Sequence, residues 1–249
     1  MLKLLYSIYF VLIVGPLFLL LTVLTALTTS VGCLLRGERI CSYYPGMIWS
    51  RLACLLVLSP VRVRGREHLQ KGQSYVFAAN HQGAFDIFLI YGFIGVPMKW
   101  MMKAGLGKIP LVGYACRAAG FIFVDNSSPR AARRSIAEAE QKLKNGFSLA
   151  VFPEGSRSKT GRMTRFKKGA FQVALDRGLP IVPITLNGPY HVLPIGSWLA
   201  RPHRMEMVIH PPIDSQEFAE SEGDEHAHMQ QMADRTREAI ASALWDEFR

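Results

Sequence analysis

The chain has 249 residues, 49% of them hydrophobic, a mean hydropathy of +0.15 and a formal net charge of +10. That is room for one full domain plus an appendage, and the apolar content argues against a protein that faces water throughout. Four cysteines, Cys33, Cys41, Cys54 and Cys116, include no C-x-x-C pair and describe neither a zinc site nor a disulfide framework, which fits a reducing compartment. The charge is uneven: residues 1–213 carry 26 Lys+Arg against 9 Asp+Glu, and residues 214–249 carry 3 against 10. A basic body of this kind suits an anionic partner, either a phosphate-bearing substrate or an anionic lipid surface, with nucleic acid as the third candidate.

Leu4 to Leu35 contains no charged residue, more than the ~20 apolar residues that cross a bilayer core. Gly15-Pro16 sits in its middle, so two arrangements are open: one long helix that spans with a kink, or two short arms held in one leaflet. Met47 to Pro60, interrupted by Arg51, is too short to span and reads as an interfacial or buried helix. The bases that follow, Arg36, Arg39, Arg51, Arg62, Arg64 and Arg66, place the body on the cytoplasmic face, of the inner membrane if the source is bacterial. Residues 1–60 are therefore expected to be a membrane-embedded helical segment and residues 61–249 the globular domain.

Val61 to Gly65 alternates as a half-exposed strand, and Tyr75 to Ala79 is an apolar run suited to a buried strand. Ile87 to Tyr91 fits strand or helix. Val96 to Lys103 predicts a short strand, Ala104 to Gly113 a Gly-rich connector, Tyr114 to Ala119 a helix and Gly120 to Asp125 a strand. Ser128-Pro129 and Asn145-Gly146 punctuate a helix between them. Phe147 to Phe152 predicts a buried strand, Lys168 to Arg177 a helix closed by Gly178, and Ile181 to Leu186 a strand in which Pro183 suggests an edge or a bulge. Met205 to Ile209 alternates as a strand, and an amphipathic acidic helix runs from about His228 to Phe248. Strands separated by helices predict an α/β fold, a mostly parallel mixed sheet flanked by helices, with sites at the strand ends.

Two stretches carry chemistry. In Asn80-His81-Gln82-Gly83-Ala84-Phe85-Asp86, at a strand exit, a turn of small residues can bring the Asp86 carboxylate against the His81 imidazole, making His81 a general base with an orienter. No Ser or Cys follows in a nucleophile-elbow pattern, so the proton comes from a substrate hydroxyl. On this stretch alone, a satisfied loop histidine and a helix-start aspartate describe the residues as well. The second stretch is Phe152-Pro153-Glu154-Gly155-Ser156-Arg157-Ser158, which opens a run with six bases and no acid over residues 157–168. Arg157, set beside the Pro-Glu-Gly turn, can grip a phosphate through two parallel hydrogen bonds. Lys159, Arg162, Arg165 and Lys167 read as a solvated loop. Glu154 is a second acid/base group or, more simply, an ion-pair or turn-fixing carboxylate, and Lys103 can add a charge to the same anion.

Together, Asn80-His81-x4-Asp86 and Phe152 to Ser158 resemble the glycerolipid acyltransferases, in particular the 1-acylglycerol-3-phosphate acyltransferases. Gly120 to Asp125 and Ile181 to Ile184 resemble that family's second and fourth blocks, and the resemblance covers roughly residues 60–190. Asn126 stands where the family usually has arginine, and Ser156 where threonine is common. The resemblance implies His81 as base and Asp86 as its orienter. Arg157, with Lys103, is implied to hold the acceptor's phosphate, and Glu154, Gly155 and Ser156 to complete the binding turn. The donor is implied to be an acyl thioester, acyl-coenzyme A or acyl carrier protein, with lysophosphatidate as acceptor and no metal or other cofactor required. Backbone N–H groups of the Gly155 or His81 turns are expected to face the oxyanion. Asn126 and the extra bases leave room for another acceptor, such as lyso-ornithine lipid. A membrane-tethered binder of anionic polymers is the reading from another class; no nucleic-acid module supports it, and it gives His81 and Asp86 no task.

Overall fold

The structure, a computed structural model, describes residues 1–35, 37–125, 131, 134–137, 143, 147–219 and 224–249. Asn126 and most of the helix expected between Ser128 and Gly146 lie outside the described residues.

The apolar N-terminus forms helices α1 (Leu2–Tyr9) and α2 (Gly15–Leu34), joined without a break by a π-helical turn at Phe10–Val14. Pro16 lacks an N–H and crowds the turn before it, and the wider π turn absorbs both defects. The long helix does not stand away from the domain. Tyr9 Oη donates to the Leu56 carbonyl at 2.8 Å, Val14 is buried, Phe18 packs 5.6 Å from Trp49, and Trp49 Nε1 donates to Thr22 Oγ1 at 3.0 Å. Ala26, Thr29 and Ser30 are buried further along. This stripe, spaced three to five residues apart, runs nearly the whole length of the helix, while Leu5, Leu12, Leu19, Leu24 and Val31 are exposed on its other side. A short helix α3 (Glu38–Cys41) leads to α4 (Tyr44–Leu56), the helix expected from the second apolar stretch.

Seven strands follow: β1 (Val61–Arg64), β2 (Val76–Ala79), β3 (Met98–Lys103), β4 (Ile122–Val124), β5 (Ser148–Val151), β6 (Ile181–Asn187) and β7 (Met205–Ile209). Their order is β1-β7-β6-β2-β5-β3-β4, parallel at every pair except β6–β7. Between them lie α5 (Phe85–Phe93), α6 (Val112–Ala118) and α7 (Gly169–Arg177), and the C-terminal α8 (Glu225–Ser242) follows β7. Ile87 to Tyr91 is thus helical. Its residues are apolar and buried almost all round, so no period distinguished helix from strand. The acidic segment ends its α-helix at Ser242, six residues short of Phe248, because the chain then turns back and Asn187 takes the Trp245 N–H at 3.0 Å.

Pro183 is not at an edge. β6 is an interior strand between β2 and β7, and the missing N–H is accommodated by a bulge instead. Ile184 pairs with Ile209 while Ile181 bridges Ile213, so four steps on one chain face three on the other, and the Pro183 carbonyl takes the His210 N–H at 3.0 Å.

Candidate functional site

The neighbouring parallel strands β2, β5 and β3 end on the same side of the sheet, and their C-terminal ends deliver His81, the Phe152–Arg157 turn and Lys103 to one place. Asn80 extends β2 by one residue: its side chain accepts from the Leu186 N–H at 2.8 Å and donates to the Leu186 carbonyl at 2.9 Å. His81 therefore leaves the sheet from a fixed point.

His81 Nδ1 lies 2.7 Å from Asp86 Oδ2, which also accepts the Gly83 N–H at 2.8 Å. Asp86 is fully buried in the first turn of α5, and His81 is 14% exposed. Burial raises the Asp86 pKa from its ordinary value, with the His81 ring and the Gly83 amide pulling against it. With Nδ1 turned to the carboxylate, Nε2 is the nitrogen left to meet a ligand. The imidazole also lies flat on Phe152, with centroids 3.9 Å apart and planes at 6°. Carboxylate and phenyl ring together fix the position and tilt of the base.

The Phe152–Ser158 turn holds the backbone of His81 from both sides. Glu154 Oε1 accepts the His81 N–H at 2.8 Å, and the Ser158 N–H donates to the His81 carbonyl at 2.7 Å. Glu154 Oε2 takes the Thr164 N–H at 2.8 Å and its hydroxyl at 2.7 Å. Both oxygens of this buried carboxylate are thus occupied by protein donors. Burial raises its pKa, against the pull of the Thr164 and His81 donors. The geometry makes Glu154 a clamp between the two motifs rather than a binding group; of the sequence alternatives, the turn-fixing carboxylate describes it, and among the described residues Arg157 is not its ion-pair partner.

Gly155 adopts φ +74°, and a Cβ there would meet Lys167 Nζ at 2.8 Å. His81, Lys103, Gly155, Ser156, Arg157 and Lys167 line one cavity of about 870 Å³. The remaining wall is largely apolar and comes from far along the chain: Thr25 and Ala26 of α2, Gly46 and Trp49 of α4, Trp100 and Met102 of β3, and Val112 and Cys116 of α6. The site thus combines an oriented base, three cationic side chains and a long apolar space. That arrangement can take a phosphate-bearing amphiphile and remove a proton from its hydroxyl.

One expectation narrows here and one changes. Of the turns expected to face an oxyanion, the N–H groups of Gly155 and His81 themselves are spent on Phe152 O, at 2.9 Å, and on Glu154. Lys167 is not merely part of a solvated loop: its N–H bonds to the Pro153 carbonyl at 2.8 Å and the residue lines the cavity. Sequence reasoning missed Thr164 altogether. A hydroxyl residue ten positions after a buried glutamate, in a loop of bases, carries no local signal of pairing with it.

The sequence profile of the Acyltransferase family matches residues 60–187. A chloroplastic 1-acyl-sn-glycerol-3-phosphate acyltransferase of Arabidopsis thaliana is 33% identical over 173 residues, 69% of this chain and 48% of that protein. The 1-acyl-sn-glycerol-3-phosphate acyltransferase of Pseudomonas aeruginosa is 33% identical over 181 residues, 70% of this chain and 67% of its own length. The chain thus spans about half the length of the chloroplastic relatives. Among solved structures, the 1-acyl-sn-glycerophosphate acyltransferase PlsC of Thermotoga maritima superposes with a TM-score of 0.68 at 31% identity, covering 92% of this chain and 97% of that one.

Proposed function

Because the chain belongs to the Acyltransferase family, we propose that it transfers a fatty acyl group from an acyl thioester to the 2-hydroxyl of 1-acylglycerol 3-phosphate, forming phosphatidate. The observation that carries this reading is the fixed His81–Asp86 pair opening into a cavity with cations at one part of its wall and apolar side chains along the rest. Relatives named for the same acceptor support this choice of substrate.

His81 Nε2 takes the proton of the acceptor's hydroxyl as its oxygen attacks the thioester carbonyl. Asp86 stabilises the imidazolium, and the tetrahedral adduct collapses by expelling the thiolate, which recovers the proton from Nε2. No acyl-enzyme intervenes. Arg157, with Lys103 and Lys167, holds the phosphate so that the hydroxyl lies near the base, a gain from positioning. The N–H groups of Ser156 and Arg157, which make no hydrogen bond among the described residues, are the oxyanion donors. The donor is acyl-coenzyme A or acyl carrier protein, the latter an acidic partner for a basic body.

The long helix is read as lying in one leaflet, a reading supported by a protein-facing stripe that runs nearly from end to end. The bases after it keep the domain on the cytoplasmic side. The test is acyl transfer by the purified protein from labelled acyl-coenzyme A, with lysophosphatidate and a phosphate-free lyso-lipid as acceptors. Labelled phosphatidate from the first acceptor alone supports the proposal; product from the second alone overturns the acceptor.

A further inference from the structure

The segment between β3 and α6 is built to present apolar side chains outward. Pro110-Leu111-Val112 forms a γ-turn in which the Val112 N–H donates to the Pro110 carbonyl at 2.6 Å and Leu111 takes φ +61°, ψ −56°. A leucine rarely adopts this conformation, and it survives only where its surroundings enforce it. Here they do. A Cβ on Gly113 would run into the Gly107 carbonyl, so these two glycines close the loop on itself, and Arg117 Nη1 donates to that same carbonyl at 2.6 Å. What this rigid loop displays is Leu106, Ile109, Leu111 and Tyr114, between 42% and 51% exposed.

An apolar cluster of this kind in a loop fixed against collapse needs an apolar partner. Its setting identifies one. Helix α6 packs on α2, the helix that exposes Leu17, Leu19, Leu24, Leu27 and Val31, so the cluster is tied to the apolar N-terminal helix. From Ile87 to Val124 there is no acidic residue, while Lys103, Lys108 and Arg117 accompany the cluster. Leu106 and Ile109 also line the cavity that holds His81. We propose that residues 104–114 insert into the headgroup–acyl boundary of an anionic leaflet as a second lipid contact, and that they form the rim across which a single-chain lipid passes sideways from the leaflet into the cavity. The apolar side chains enter the acyl region and the bases meet the phosphates, as in interfacial amphipathic segments.

The inference rests on the reading that α1–α2 lies in that leaflet, and its test separates the two. In the full-length protein, Ile109→Trp is compared with wild type in phosphatidylglycerol vesicles containing brominated acyl chains. Added fluorescence that the bromines quench supports insertion; added fluorescence that is not quenched overturns it, whatever the enzyme activity. The double variant Leu111→Asn, Tyr114→Gln alters only outward-facing side chains that do not line the cavity. Its kcat/KM should fall about tenfold on lysophosphatidate embedded in vesicles and stay unchanged on a short-chain lysophosphatidate dissolved as monomers. An equal fall on both acceptors, or none on either, would overturn the rim. Wild type inactive on both acceptors would sink the proposed reaction, while quenching still decides the lipid contact.

Discussion

Replacing Glu154 with Gln tests whether the second motif binds substrate or holds the base. The carboxylate accepts three hydrogen bonds of 2.7–2.8 Å, one from His81 and two from Thr164. Gln has one acceptor oxygen, so its NH2 must face either the His81 or the Thr164 N–H. One charge-assisted bond to a backbone donor is lost, on the order of 1.5–3 kcal/mol. Part of that is offset, because burial already disfavours the ionised form and the neutral amide does not carry that penalty. The net destabilisation should be about 1–2 kcal/mol, a fall in midpoint of a few degrees for a chain of this size, roughly 2–4 °C per kcal/mol. The larger effect should be catalytic. A histidine backbone released on one side lets the ring drift, and a displacement of ~1 Å can cost about a hundredfold in rate. Steady-state kinetics should give a kcat lowered about 10- to 100-fold with the acceptor KM little changed. A raised KM at unchanged kcat would mean that Glu154 contacts the acceptor, and the clamp argument would fail.

Arg157→Ala should show the opposite split, a KM for lysophosphatidate raised about 10- to 100-fold, as expected for loss of a charged hydrogen bond; turnover of a phosphate-free acceptor should not change, and an unaltered KM would move the phosphate site elsewhere. Asp86→Asn should lower kcat by roughly 10²- to 10⁴-fold without a proportionate loss of stability. Because burial raises the Asp86 pKa from 3.8, its contribution to folding is fully present below the unfolded value and is lost as pH rises through the folded one. Wild type should therefore lose stability relative to Asp86→Asn as pH rises above the ordinary carboxylate range, and denaturation curves with the reverse trend would contradict the sign. Lys99 is buried, with Nζ 2.7 Å from Glu38 Oε1 and 2.6 Å from the Ala119 carbonyl, but Glu38 is 46% exposed. Lys99→Met should thus cost about 1–3 kcal/mol rather than the ~3–5 kcal/mol of breaking a fully buried pair, since the glutamate can return to water; chemical denaturation reads the difference.

The two motifs were legible because each packs its chemistry into seven contiguous residues at the exit of an apolar strand. His81 and Asp86 lie five residues apart, and the turn between them is all that is needed to join Nδ1 to the carboxylate. A turn-fixing role for Glu154 was one of the alternatives legible in the sequence, beside acid/base, ion-pair and binding roles, but not its partners, one 73 residues back and the other in a loop of bases. The cavity wall was hidden for a similar reason. Thr25, Gly46 and Cys116 meet only because α2 lies along the domain, and nothing in an uncharged run tells a helix that crosses a bilayer from one that lies flat against a protein. Pro183 misled by half: the rule that proline avoids interior strands has a bulge as its exception, and the register shift that creates it depends on where residues 209–213 pair.

The central claim is that His81 is the base for acyl transfer. The most direct measurement is the rate of labelled phosphatidate formation from acyl-coenzyme A and lysophosphatidate by wild type and by His81→Ala, at equal protein in equal vesicles. Loss of a general base predicts a rate lower by about 10²- to 10⁴-fold with membrane association unchanged. A variant that stays within about threefold of wild type, well below the contribution of any general base, would contradict the account and send the search for the base elsewhere in the cavity.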